Sequence, residues 1–249
     1  MFVRETAGVL WNELQLLQKA FNNMSLGSRL VLRIVIGMFV IAIVLFLPAG
    51  TRRFWQGWAY LAVWFIPGLV FSLYFHKRDP ALVERRLQSK EKEKEQKVVM
   101  GVVYMVFSLA YLIPGLDFRF GWSYRRTGAV PLWLEITSLA IVLASYLMTI
   151  WVMDVNRYAA RTIRVETGQK VVSTGPYKWI RHPMYFGVLL MMLFTPLALG
   201  SYVALPVFAL VLPALMFRLE NEEKVLRRDL PGYAEYCEGT RYRLIPHIW

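Results

Sequence analysis

Five apolar runs follow one another along the chain, at about Leu30 to Leu47, Phe54 to Phe75, Val98 to Leu116, Pro131 to Met153 and Pro183 to Phe217. The hydrocarbon core of a bilayer is roughly 30 Å thick and takes about 20 helical residues to cross, so each of the first four runs predicts one crossing. The fifth is 35 residues long and is interrupted near its middle by Gly200-Ser201, with Pro196 and Pro206 on either side. That interruption predicts a tight helical hairpin of two short, tilted crossings. The expected fold is all-α: a polytopic membrane helix bundle of about six crossings, the last two forming a hairpin, with a short cytoplasmic helical segment at the C-terminus. Ahead of the first run, Leu10, Leu14, Leu17 and Phe21 recur beside Trp11 at helical spacing. They predict an interfacial helix within residues 1–29, a stretch too long and too polar to be the charged start of a signal peptide.

Composition agrees with this pattern. An apolar fraction of 57%, an aromatic fraction of 15% and a mean hydropathy of +0.40 exceed what an ordinary soluble domain carries. The net charge of +12 could point to nucleic acid, but the cations lie in the loops between apolar runs. There they act as topology signals and contacts for anionic lipid, and nucleic-acid binding is not expected. Alternate loops carry 23 and 5 Lys and Arg residues, which places both termini in the cytoplasm by the positive-inside rule. The single Cys237 excludes an internal disulfide, and no pair of histidines has metal-ligand spacing, so no metal is expected. Glu135 and Asp154 fall near the ends of the fourth run, where exposure at the interface accounts for them.

Candidate chemistry concentrates in two polar patches. In Ser173 to Gly187, Gly175-Pro176 makes a turn, and Pro183 suits the first position of a helix. Arg181 and His182 thus stand at the lip of a helix whose unpaired N–H groups and positive dipole end can hold an anionic group, flanked by Tyr177 and Tyr185. The second patch, Arg218, Glu222 and Glu223, begins where the last apolar run ends. Arg218 and Glu222 share a helix face, which alone describes an ordinary surface ion pair. Two such patches meeting at the edge of a bundle are a functional-site hypothesis. The hairpin after Pro183 is what would bring them to one side of the membrane.

The order Gly175-Pro176-Tyr177, Arg181-His182-Pro183-x-Tyr185-x-Gly187, Arg218-x-x-x-Glu222-Glu223, Tyr233-x-x-Tyr236 and Ile245-Pro246 resembles the isoprenylcysteine carboxyl methyltransferase (ICMT) family and its phospholipid methyltransferase relatives. The match runs from about Arg161 to the C-terminus. The resemblance implies an integral membrane enzyme of bacterial type, in the inner or plasma membrane of a prokaryote, with a cytoplasmic active site that uses S-adenosylmethionine. By position, it implies cofactor contacts at Gln169, Lys170, Val171 and Val172, at Tyr177, at His182, Pro183, Met184 and Tyr185, and at Glu222. Arg218 takes the catalytic position toward the methyl acceptor, and Arg181 and Glu223 are additional candidates. The family often has histidine where Gln169 stands and leucine where Val171 stands, and glutamine cannot titrate near neutral pH. On this division, residues 1–29 form the interfacial helix, 30–97 two additional spans with a charged loop, and 98–249 the methyltransferase core.

The expected acceptor is a lipid or other lipophilic molecule entering from the bilayer. A carboxylate such as that of an isoprenylcysteine would pair with Arg218 and need no base. An amine or thiol would need deprotonation, for which Glu223 and Tyr236 are the candidates. Two other classes remain open. One is an NADPH-dependent reductase of the sterol-reductase type, with Arg161, Arg164 and Lys170 available for the extra phosphate. The other is a non-catalytic lipid-binding membrane protein.

Overall fold

The computed structural model describes residues 23–87, 94–158 and 168–249, with the single positions 15 and 165. Most of the predicted interfacial helix, together with Arg161 and Arg164, lies outside the described residues. Among the described residues all regular secondary structure is helical, without a strand. In chain order the helices are α1 Leu26–Ala49, α2 Trp55–Arg78, α3 Pro80–Leu87, α4 Lys94–Phe120, α5 Trp122–Thr127, α6 Leu132–Val155, α7 Pro183–Ala198, α8 Leu205–Ala209, α9 Val211–Asp229 and α10 Tyr233–Gly239; a 3-10 turn spans Gly175–Lys178. Helices α1, α2 and α6 are each 24 residues long and apolar enough to cross a membrane.

Two short helices were not foreseen. Helix α3 starts because the Asp79 side chain accepts the Leu82 N–H at 3.0 Å, and it buries Leu82 and Val83 against Phe75. Helix α5 follows Gly121 and hangs on a carboxylate: Asp117 accepts the Ser123 N–H at 2.7 Å and also the Ser123 hydroxyl. Glu135 corrects the expectation of an exposed interfacial charge. It is only 6% exposed and accepts a 2.9 Å hydrogen bond from Gln56 Nε2 on α2. Asp154, by contrast, stays at the surface and pairs with Arg78 at 2.9 Å.

The core sits between α1, α2, α4, α6 and α7, around Leu45, Phe54, Tyr60, Val142, Met192 and Phe208. Because lipid is as apolar as these side chains, burial alone gives such a bundle little specificity; close approach and buried polar links supply it. The Tyr60 and Tyr111 hydroxyls share a hydrogen bond at 2.5 Å, and Thr195 lies 3.2 Å from Tyr60, tying α2, α4 and α7 together. Helix α7 packs most extensively on α6, and Gly187 permits the approach. A Cβ there would lie 3.0 Å from the Thr149 hydroxyl oxygen and 3.2 Å from the Ser145 carbonyl.

After α7 the chain reverses. Gly200 adopts φ +70°, and a Cβ on it would come within 2.7 Å of Glu135 Oε1, so only glycine fits. The reversal is then pinned from the opposite segment: the Ser201 hydroxyl donates to Asp117 at 2.5 Å, and the Ser123 hydroxyl oxygen accepts the Tyr202 N–H at 2.9 Å. Helix α9 consequently runs back toward the start of α7, and Tyr185 of α7 meets Glu222 of α9. Gly200→Ala should destabilise the protein by about 1–3 kcal/mol, the cost of a left-handed non-glycine residue plus a displaced buried carboxylate. Thermal melting in detergent against Gly239→Ala, where nothing lies within 4 Å of the new Cβ, checks this: only Gly200→Ala should lower the midpoint.

Candidate functional site

The stretch leading into α7 is held by the C-terminal tail as much as by its own turn. Arg181 N–H donates to the Tyr242 carbonyl and His182 N–H to the Arg243 carbonyl, both at 2.9 Å. With the backbone clamped on both sides, Pro183 opens α7 as its first residue and His182 occupies the cap position without a side-chain capping bond.

Glu223 stands at the centre of this junction. It is 4% exposed, and its Oε1 lies 2.7 Å from Arg181 Nε and 3.2 Å from His182 Nε2, while Oε2 lies 3.1 Å from Arg243 Nε. Arg181 spends its remaining reach on the tail, donating through Nη1 to the carbonyls of Thr240 at 3.1 Å and Arg241 at 3.2 Å. Burial works against the charged carboxylate, but the His182 hydrogen bond and the Arg181 charge outweigh it and bring its pKa down to about 2. A buried charge so fully partnered is a fastening. Arg243, the third partner, was not singled out from the sequence; its only signal was Arg241-x-Arg243 following the Tyr233-x-x-Tyr236 pair.

One residue earlier on α9 the geometry differs. Glu222 turns about 100° away from Glu223 around the helix. It is half-buried, and it accepts the Tyr185 hydroxyl of α7. Arg218, one turn before, lies within electrostatic reach of the same Tyr185 hydroxyl. The start of α7, Tyr185, Glu222 and Arg218 therefore form one cluster, and Met184 lies beside them on the first turn of α7.

Two of the other candidates, Tyr177 and Val171, lie against α10. Tyr177 lies in the 3-10 turn, where its hydroxyl accepts Asn156 Nδ2 at 2.9 Å and its carbonyl accepts the Tyr236 hydroxyl at 2.7 Å. Asn156 ends α6 and was also missed; an asparagine closing a span was the available signal. Gln169 to Val172 run without regular structure. Val171 packs on Leu230, Tyr233 and Cys237, Gln169 and Val172 are half-buried, and Lys170 is exposed. Burial pushes the Tyr236 hydroxyl up to about 12, with its Thr240 hydrogen bond pulling the other way. Burial likewise raises the Cys237 thiol.

This arrangement offers helix-start N–H donors, a half-buried carboxylate fixed by a tyrosine, an arginine one turn away and a tyrosine-lined, partly apolar wall. Among the described residues no group of three His, Cys, Asp or Glu side chains could hold a metal ion.

Comparison with known proteins places the pattern. Residues 136–228 match the model of the isoprenylcysteine carboxyl methyltransferase (ICMT) family. The uncharacterized protein YpbQ of Bacillus subtilis (strain 168) is 33% identical over 97 residues, 38% of this chain and 56% of that protein. The Delta(14)-sterol reductase TM7SF2 of Mus musculus is 34% identical over 91 residues, 35% of this chain and 22% of that protein. The chain thus spans about half of the first of these relatives and about a fifth of the second. The structure of the eukaryotic intramembrane Ras methyltransferase ICMT superposes with a TM-score of 0.54 at 17% identity, over 100% of this chain and 87% of that one, which establishes a similar fold.

The Glu223 fastening generates a pH prediction. Its pKa in the folded protein is depressed, so the stabilisation it gives is complete above the unfolded value of 4.5 and is lost as pH falls from there toward about 2. Limited proteolysis of the C-terminal segment should therefore accelerate across that acid window. Glu223→Gln should lose about 3 kcal/mol at neutral pH, by leaving Arg181 buried beside a neutral partner, and should show none of the acid step.

Proposed function

With residues 136–228 matching the isoprenylcysteine carboxyl methyltransferase family model, we propose that this integral membrane protein transfers a methyl group from S-adenosylmethionine to a lipophilic acceptor. The observation that carries the reading is the split between two adjacent carboxylates on α9: Glu223 is consumed by Arg181, His182 and Arg243, whereas Glu222 stands half-buried at the start of α7 beside Arg218.

The residues present fit the cofactor's chemistry. Its amino acid end carries a carboxylate, suited to the N–H groups at the start of α7, and an ammonium, suited to Glu222. Tyr177 and the stretch Gln169 to Val172, with Val171 against α10, would wall the nucleoside; His182 and Pro183 fix the helix start, and Met184 and Tyr185 line its first turn. When bound, S-adenosylmethionine supplies an activated methyl on a sulfonium, so the chain's contribution is alignment of the acceptor and exclusion of water. Tyr185 holds the Glu222 carboxylate in place. Arg218, on the same face of α9 one turn away, would orient the acceptor.

Among the described residues, the two candidate bases favour a carboxylate acceptor. Glu223, with a pKa of about 2 and held by Arg181, Arg243 and His182, is a poor base, and Tyr236, at about 12 and already donating to the Tyr177 carbonyl, is another. Both candidates for deprotonating an amine or thiol are thus committed to structure. A carboxylate acceptor, already ionised and paired with Arg218, needs neither. By the positive-inside rule this end of the bundle would face the cytoplasm, where a lipidated carboxylate could enter sideways between helices.

The relative that is a Delta(14)-sterol reductase keeps a reductase reading in the test. Thermal stabilisation in detergent by S-adenosylmethionine, its demethylated product and NADPH should show gains with the first two only; a gain with NADPH alone would overturn the proposal. Glu222→Gln should weaken S-adenosylmethionine binding by about tenfold, the loss of one charge-assisted contact. Arg218→Ala should bind it normally and transfer no methyl to a prenylated cysteine analogue. Equal cofactor affinity in wild type and Glu222→Gln would remove Glu222 from the site.

A further inference from the structure

The end of the bundle away from Glu223 has a feature that methyl transfer does not use. A shallow cavity of about 510 Å³ lies between the end of α1 and the start of α2, with Ile43, Phe46, Leu47 and Trp58 as walls and Thr51 and Arg52 at the rim. Its walls are set. Trp58 Nε1 donates to the Arg52 carbonyl at 2.9 Å, and the Phe46 and Trp58 rings lie 4.5 Å apart. Gly50 also lines it, and the Arg119 guanidinium of α4 reaches within 3.5 Å of where a Cβ on Gly50 would sit, bringing a second exposed cation to the rim. Among the described residues none lining the cavity is acidic.

The apolar side of this cavity continues down α1. Ile36, Val40, Ile43 and Leu47 are 52%, 52%, 56% and 75% exposed, and their spacing of four, three and four puts them on one face of the helix. The eleven helical steps from Ile36 to Leu47, at about 1.5 Å each, make a lane of about 16 Å, running from the charged rim into the depth a membrane-spanning helix crosses. Cations at a helix end, an aromatic-walled recess beneath them and an apolar lane below match an amphiphile with an anionic head and a hydrocarbon tail.

We propose that this recess is a binding site for an anionic phospholipid of the leaflet opposite the methyl-transfer site. The phosphate sits between Arg52 and Arg119, and an acyl chain follows the α1 lane past Trp58. The site is independent of the methyltransferase reading, since none of its residues belongs to the α7 and α9 cluster. It gives the helices ahead of residues 136–228 a role of their own, in fastening α1, α2 and α4 to the bilayer.

Native mass spectrometry of the full chain, equilibrated in mild detergent with equal amounts of phosphatidylglycerol and phosphatidylcholine, tests it. The wild type should retain one phosphatidylglycerol per chain in preference to phosphatidylcholine. Arg52→Gln should reduce that preference about fivefold, and the double variant with Arg119→Gln by a further fivefold. The double variant Arg125→Gln with Arg126→Gln, which removes the same charge from exposed positions on the neighbouring α5, should retain lipid as the wild type does. Arg52 and Arg119 are exposed, and unchanged melting of their variants without added lipid shows that the fold is kept. Equal retention of both lipids, equal loss in the two double variants, or a dimer of the chain with no retained lipid would each overturn the proposal.

Discussion

A single buried carboxylate organises the candidate site of this protein. Glu223 is removed from water between Arg181, His182 and Arg243, three cationic or protonatable groups brought from two segments that the sequence separates by about 60 residues. Such a centre is strong only when complete, because removing one partner leaves a charge stranded in a low-dielectric interior. Its completeness fixes three things together: the angle at which the chain enters α7, the register of α9 against α7, and the path of the tail over both. Glu222 and Tyr185 meet only because those three agree.

The hairpin that makes this junction possible depends on chemistry at the other end of the bundle. Gly200 turns in a backbone region that side chains rarely adopt, against the buried Gln56–Glu135 pair, and Asp117 with Ser123 holds the turn in place. A polar layer at one end thus sets the geometry of the cluster at the other. The rigid α6–α7 contact at Gly187 carries that alignment along the length of α7. In lipid, where apolar surfaces discriminate weakly, these polar contacts are what select one packing.

Much of the architecture was legible from hydropathy. The first four run lengths matched α1, α2, α4 and α6 to within a few residues, and the 35-residue run with Gly200-Ser201 at its middle announced the reversal, though α9 continues past the run's end to Asp229. Residue types around Pro183 and at Arg218 and Glu222 announced a polar cluster. The failures share a physical origin in partners distant in sequence. Glu135 read as an interfacial charge because Gln56 is 79 positions away. Arg243 went unnoticed because its target lies on another helix, and the different tasks of Glu222 and Glu223 were hidden because they differ only in which side of α9 they face. Asp79 capping α3 is a local signal, obscured by the charged stretch that follows it.

The claim on which the account rests is that the chain doubles back after Pro183, so that Lys170 and Arg227 lie on the same side of the membrane. In a Cys237→Ala background, Lys170→Cys and Arg227→Cys can be labelled in sealed inside-out and right-side-out vesicles with a membrane-impermeant maleimide. Both positions are exposed, and both should react from the cytoplasmic side and neither from the other. Labelling from opposite sides would separate Glu222 from the start of α7 and contradict the site, the hairpin and the function built on them.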